Sequence, residues 1–249
     1  MSVLFSLKDK KVLIIGGSYG MGLATAEAVL EAGGQVAIAA RNPVTLAAAA
    51  QSLEAKSGVK VPYTALSIED RAAVKAFMEQ HAPFDHLVMP GSTVKPFVYD
   101  ELTEENAHEA FNSKFWGPFW AAFDCRPLIR RGGSIVFFSG VAAARPVKGY
   151  MMGASINGAL NAVTRSLALD FGEQGVRVNT IACGLMDTPL NDVLHSHDKA
   201  ERIARMAARL PTGRIGTAEE GAMGAMYLLC NGYVTAQTIG IDGGQQVMD

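Results

Sequence analysis

Three glycines, Gly16, Gly20 and Gly22, follow directly on the apolar run Val12 to Ile15 and precede a helix-forming stretch, Leu23 to Ala32, that Gly33-Gly34 closes. This order places a glycine turn between a strand buried on both faces and the first turn of a helix. A helix N-terminus presents bare backbone N–H groups and the positive end of the helix dipole, so a turn free of side chains there can hold a phosphate. Gly16 permits the tight turn, Gly20 lets the backbone approach a pyrophosphate, and Gly22 lets the helix pack closely on the strand. Ser18, Tyr19 and Met21 complete the same phosphate-facing turn. The chemistry implied is dinucleotide binding, against a merely structural turn.

Gln35 to Ala40 reads as the second strand, with Arg41 and Asn42 at its end. A carboxylate at that position accepts from the 2'-hydroxyl of NAD, whereas an arginine pairs with the 2'-phosphate of NADP. Arg41 therefore favours NADP(H), against the reading of a solvated surface charge.

The remaining elements must hold these residues in place. Periodicity predicts helices over about 45–56 and 69–80, strands at 61–66 and 84–88, and a long helix from about Glu104 to Ile129, kinked at Gly117-Pro118. Strands at 134–139 and 176–182 follow, with a helix from Tyr150 to near Gly172, and a last strand within 235–244 is implied by the family resemblance given below. Strands alternating with helices predict an α/β fold: one Rossmann domain over residues 1–249, with a doubly wound, seven-stranded parallel sheet and helices on both faces. Phe111, Phe115, Phe119 and Phe123 recur every fourth residue beside Trp116 and Trp120, a spacing that suits core or a subunit interface better than ligand stacking.

With 249 residues, 49% apolar and 18% charged, the chain can bury one large core. A net charge of -2 provides no basic field for nucleic acid, and no charge run suits a membrane surface. No apolar stretch approaches the roughly 20 residues of a membrane span and no signal-peptide pattern opens the chain, so a cytoplasmic protein acting on a small molecule is expected. Cys125, Cys183 and Cys230 suit reduced thiols. His195 and His197 form a His-x-His pair in a polar segment, read as solvated, and no metal site is expected.

These residues resemble the short-chain dehydrogenase/reductase superfamily, whose fingerprint Thr-Gly-x-x-x-Gly-x-Gly has Ile15 in place of the Thr. The resemblance covers nearly the whole chain. It implies that Ser67-Ile68 match the family's Asp-Val pair beside the adenine and that Met89-Pro90-Gly91-Ser92 replaces Asn-Asn-Ala-Gly. Cys183 to Thr188 is similar to Pro-Gly-x-x-x-Thr, in which the backbone and the Thr hydroxyl hold the nicotinamide carboxamide, so Gly184, Met186 and Thr188 join the NADP(H) site. Asp242-Gly-Gly244 matches the closing turn. The family also implies a substrate lid at about 189–210 and a homodimer or homotetramer built on the two long helices.

The family reduces carbonyls with a Tyr acid, a Lys that lowers its pKa and holds the ribose, a carbonyl-polarising Ser, and an Asn that supports a proton relay. Ala159-Leu160 and Thr164 to Ala168 fix the register and place Gly153 at the Tyr position, Asn157 at the Lys, Gly140 at the Ser and Lys114 at the Asn. All four are replaced. Lys114, Ser139, Tyr150 and Asn157 remain as catalytic candidates: Asn157 for the ribose, Lys114 as a cation near the nicotinamide or a structural ion-pair partner, Ser139 one residue from the lost serine, and Tyr150 as an off-register phenol or a wall residue. On this register, Gly153→Tyr with Asn157→Lys should introduce ordinary ketone reduction. Three readings of function follow. One is an NADP(H)-dependent reductase of an iminium or activated carbonyl; another is a non-redox cyclase or isomerase of natural-product biosynthesis that uses bound NADP(H). The third is an NADPH-binding protein without turnover.

Overall fold

All four side chains from Val12 to Ile15 are buried, because β1 (Lys11–Ile15) runs through the middle of the sheet with a helical layer on each face. The computed structural model describes residues 5–90, 99–188 and 199–248. In it β1 pairs in parallel with β2 (Gln35–Ala40) on one side, and β3 (Tyr63–Ala65) lies beyond β2. On the other side come β4 (Phe84–Met89), β5 (Ile129–Gly140), β6 (Arg177–Cys183) and finally β9 (Thr238–Ile241). The order β3-β2-β1-β4-β5-β6-β9 gives seven parallel strands, and two-residue strands β7 (Met186–Asp187) and β8 (Gly216–Thr217) pair separately.

Successive residues of β1 serve opposite layers, as a two-residue period requires. Val12 and Ile14 pack with α1 (Gly20–Glu31), α2 (Pro43–Ser57) and α8 (Ala218–Cys230), while Leu13 and Ile15 pack with α3 (Arg71–His81), α5 (Gly117–Asp124) and α6 (Met151–Asp170). The order of strands reverses between β1 and β4, so the carboxyl ends of these two strands diverge into a crevice where such sheets bind ligands.

Several predicted boundaries shift. The helix expected over 104–129 is three pieces: α4 (Glu104–Phe111), a π-helical turn over Asn112–Trp116, and α5. Pro118 has no N–H to offer the Lys114 carbonyl four residues back, and the Gly117 N–H reaches instead to the Asn112 carbonyl. The last piece ends at Asp124 because Pro127 cannot continue it. β5 begins at Ile129 rather than Ser134, β3 shortens to three residues and β9 to four. Within the lid segment, α7 (Lys199–Ala207) is described, and His195 and His197 lie outside the described residues.

Gly22 and Gly158 make opposite demands. A Cβ on Gly22 would lie 2.0 Å from the Gly16 carbonyl oxygen, a backbone atom of the same turn, whereas one on Gly158 in α6 meets nothing within 4 Å. Gly22→Ala is therefore expected to lower stability by about 1–3 kcal/mol or more through overpacking. Gly158→Ala should raise it by roughly 0.5–1 kcal/mol through helix propensity. Urea midpoints at unchanged slope check both.

Candidate functional site

At the carboxyl ends of the strands lies a cavity of about 1080 Å³. Its wall includes Ile15 at the end of β1, Arg41 after β2, Leu66 after β3, Pro90 after β4, Gly140 at the end of β5 and Cys183 at the end of β6.

Over β1 the wall is the glycine turn itself, Gly16, Ser18, Tyr19, Gly20 and Met21. Tyr19 is the N-cap of α1, yet its side chain makes no capping hydrogen bond and the first turn holds no acid. The first N–H groups of α1 therefore face the cavity without a side-chain acceptor. Pro90 closes this turn from β4, with its Cδ 3.5 Å from where a Gly16 Cβ would stand, and the Thr188 methyl is 3.4 Å from the equivalent point on Gly20. These are contacts of a backbone cradle that any side chain would fill, and a pyrophosphate fits it.

Arg41 is exposed on the rim, and no ion pair engages it among the described residues. Asn42 beside it is occupied structurally: its Oδ1 accepts from the Val44 and Thr45 N–H groups and caps α2, leaving only its Nδ2 for a ligand. Ile68 lines the cavity together with Leu66 and Glu69. Ser67 does not. Its Oγ accepts from the Glu69 N–H at 3.4 Å in the turn before α3, a contact that leaves the hydroxyl hydrogen to donate. Gly91 lies outside the described residues.

Gly184, Met186 and Thr188 line the other half. A Cβ on Gly184 would fall 2.7 Å from the Asp242 Cα, so the chain leaving β6 passes directly against the Asp242-Gly-Gly turn. The Leu185 N–H donates to Gln245 Oε1 at 2.9 Å and fixes that path.

The replaced positions form one interlocking set. A Cβ on Gly153 would be 2.1 Å from Cε1 of Tyr150, one helical turn earlier, so the Tyr150 ring already occupies the space above Gly153. A Cβ on Gly140 would be 2.8 Å from Asn157 Nδ2, so the Asn157 amide takes the room a side chain at Gly140 would need. A side chain at 153 therefore requires the Tyr150 ring to swing aside, and the ketone reduction expected of Gly153→Tyr with Asn157→Lys depends on that movement. Asn157 is 1% exposed and its Oδ1 has no hydrogen-bond partner, a buried orphan on the cavity wall that a ribose hydroxyl would satisfy. Ser139 lines the cavity but donates its hydroxyl hydrogen to Asn161 Oδ1 at 2.8 Å, which removes it as a donor to a substrate. Tyr150 holds its proton more tightly than an ordinary phenol because burial disfavours the phenolate.

Lys114 differs from all of these. It sits in the π-helical turn, is buried, lines the cavity, and has no hydrogen bond or ion pair among the described residues. Burial lowers its pKa to about 8, and the nearby Cys183 thiol, itself pushed up to about 12 by burial, offsets little of this. The alternative role of Lys114 as a structural ion-pair partner has no acid to support it among the described residues.

The aromatic stripe lies off the cavity. Phe111 and Phe115 pack toward Ile156 and Tyr150, whereas Trp116 and Phe123 are 43% and 54% exposed, and the Arg71 guanidinium stacks 4.0 Å from the Trp120 ring centre. The sequence reading missed Arg145, Val147 and Lys148, in the loop between β5 and α6, and Arg205, Met206 and Arg209 around α7, all on the wall. No motif marks them, and only their place after strand ends could have done so.

A family model described as Enoyl-(Acyl carrier protein) reductase matches residues 16–246. A 3-oxoacyl-(acyl-carrier-protein) reductase of Chlamydia muridarum is 29% identical over 247 residues, 96% of this chain and 98% of the relative. A short-chain dehydrogenase/reductase of Stachybotrys chlorohalonatus is 30% identical over 255 residues, 96% of this chain and 98% of its own. Among solved structures, an NADPH-bound short chain oxidoreductase of Pseudomonas aeruginosa PAO1, described as containing an atypical catalytic center, gives a TM-score of 0.87 at 27% identity, covering 95% of this chain and 98% of that one.

Burial of Lys114 has a thermodynamic sign. Its pKa is about 8 in the folded chain, so between there and the unfolded value, near 10.4, the unfolded state binds the extra proton and stability rises with pH. Below this window the buried cation is a full penalty. Lys114→Met should therefore stabilise the protein at neutral pH by on the order of a few kcal/mol and flatten the rise across the window. Denaturant unfolding of both proteins at stepped pH measures it; parallel curves would contradict it.

Proposed function

The chain belongs to the short-chain dehydrogenase/reductase superfamily, and from that premise we propose an NADP(H)-dependent oxidoreductase that reduces an activated carbonyl with Lys114 as proton donor. The glycine-turn backbone from Gly16 to Gly22 holds the pyrophosphate, Arg41 the 2'-phosphate and Asn157 a ribose hydroxyl. Ile68 and Pro90 shape the adenine side and the turn, and Gly184, Met186 and Thr188 receive the carboxamide end. NADPH in this site supplies the hydride.

One observation favours a carbonyl over an iminium: Lys114 is a buried amine facing the cavity without a counter-charge. A carbonyl oxygen gains negative charge as it is reduced, and a cation buried beside it stabilises that change more than it would in water. An iminium would instead bring a second positive charge to the same place. An ammonium with pKa about 8 is also matched to proton transfer at neutral pH, better than the tightly held Tyr150 phenol. Tyr150 then serves as the wall above Gly153. The NADPH-bound Pseudomonas relative with its atypical centre, and the reductase of Chlamydia, support this reading.

Two experiments test it. With α-dicarbonyl substrates both neutral and anionic, such as diacetyl, methyl phenylglyoxylate and phenylglyoxylate, NADPH consumption should fall as pH rises through about 8, because the protonated amine is the active form. Lys114→Met should lower kcat by roughly 10²- to 10⁴-fold with NADPH affinity unchanged. No NADPH consumption with any such substrate, or an unaltered pH profile in the variant, would contradict the assignment. Separately, Arg41→Ala should weaken NADPH relative to NADH by about 1.5–3 kcal/mol, measured by equilibrium titration. Equal loss for both nucleotides would remove the 2'-phosphate contact.

A further inference from the structure

Beyond the nucleotide contacts and Lys114, the cavity wall holds positive charge with no role so far. Arg145 and Lys148 line it from the loop between β5 and α6, and Arg205 lines it from α7. None of the three side chains has an ion pair or hydrogen bond among the described residues. Among those residues the one carboxylate on the wall is Glu69, which follows β3. In the sheet, β3 and β5 are four strand spacings apart, roughly 19 Å at about 4.8 Å each, which exceeds a physiological Debye length of about 8 Å. Glu69 forms no ion pair with Arg145, Lys148 or Arg205 among the described residues.

The nucleotide's phosphates do not account for it either. The phosphate cradle follows β1 and Arg41 follows β2, so both lie on the β3 side of the switch point, whereas Arg145 and Lys148 follow β5 on the other side. The same loop leads into Tyr150, whose ring stands over Gly153 in the part of the cavity that also contains Asn157. Positive side chains converging on a concave wall repel one another and favour an anion, and a guanidinium pairs with carboxylate or phosphate through parallel hydrogen bonds.

We propose that the substrate is a small carbonyl compound bearing an anionic group, a carboxylate or a phosphate, which Arg145 and Lys148 receive while its carbonyl faces Lys114. Arg205 adds to the attracting field from α7. This deepens the reductase reading and rests on it. A neutral ketone of the same skeleton would leave the two cations unpaired and bind more weakly.

Calorimetric titration of the NADP⁺-saturated protein, in which no reduction can occur, tests the proposal with phenylglyoxylate, benzoylphosphonate and the neutral methyl phenylglyoxylate. The expected result is that at least one anion binds ten-fold or more tightly than the ester, and which anion it is distinguishes carboxylate from phosphate. In Arg145→Gln/Lys148→Gln that preference should fall below two-fold, while NADPH affinity stays within two-fold of the parent. The single variants give the same reading if the pair lowers the thermal midpoint. An ester that binds as well as both anions, the absence of binding by all three, or a preference that survives in the double variant would overturn the proposal. Failure of NADP⁺ itself to bind would count against the reductase reading. The same titrations on the nucleotide-free protein would then decide the anion site by the same criterion.

Discussion

The structure depends on one close approach: the Cα of Gly22 lies so near the Gly16 carbonyl that no side chain fits between them. This contact closes the strand–turn–helix unit and fixes the start of α1 against the end of β1, at the point where the strand order reverses. Because the turn has no side chains and Tyr19 does not cap the helix, the backbone N–H groups remain available. Pro90 and Thr188 then pack on the turn from β4 and from the chain beyond β6, so residues nearly a hundred positions apart meet over one cradle.

Around this fixed part, the remainder of the cavity is rebuilt by exchange of volumes. Gly153 leaves room that Tyr150 fills, and Gly140 leaves room that the Asn157 amide fills. Packed interiors tolerate such swaps when total volume is kept, and they resist reversal of one member alone. Lys114 enters through a different device. Pro118 interrupts the hydrogen-bond ladder, the π-helical turn forms, and its Lys is buried in the cavity wall. The resulting cavity has a buried amine of lowered pKa at the position of the family's asparagine, and Arg145 and Lys148 line the same cavity.

Much of this was legible in the sequence where local chemistry and global position agree. The β1–turn–α1 unit could be read because an apolar run, three glycines and a helix-forming stretch all specify the same geometry, whereas β9, Thr-Ile-Gly-Ile, had only the family resemblance to mark it. The end of the long helix was missed because the aromatic periodicity continues toward Pro127, whose effect on the preceding turn outweighs it. For Ser67, alignment to a motif gives a position and not the direction of a side chain, and its Oγ accepts from the Glu69 N–H. The Tyr150 ring over Gly153 is a contact between residues one helical turn apart that no register count reveals. Arg145 and Lys148 belong to a loop without a motif, and only the folded sheet places them on the same wall as Lys114.

The nucleotide cradle is what every proposed contact of NADPH in this cavity depends on. Thermal unfolding of the purified protein with saturating NADPH, with NADH, or with neither tests that most directly, since a ligand present at 100 times its dissociation constant adds about 2.7 kcal/mol. A clear rise in midpoint with NADPH, larger than with NADH, is the predicted result. A midpoint that neither nucleotide moves would contradict the account.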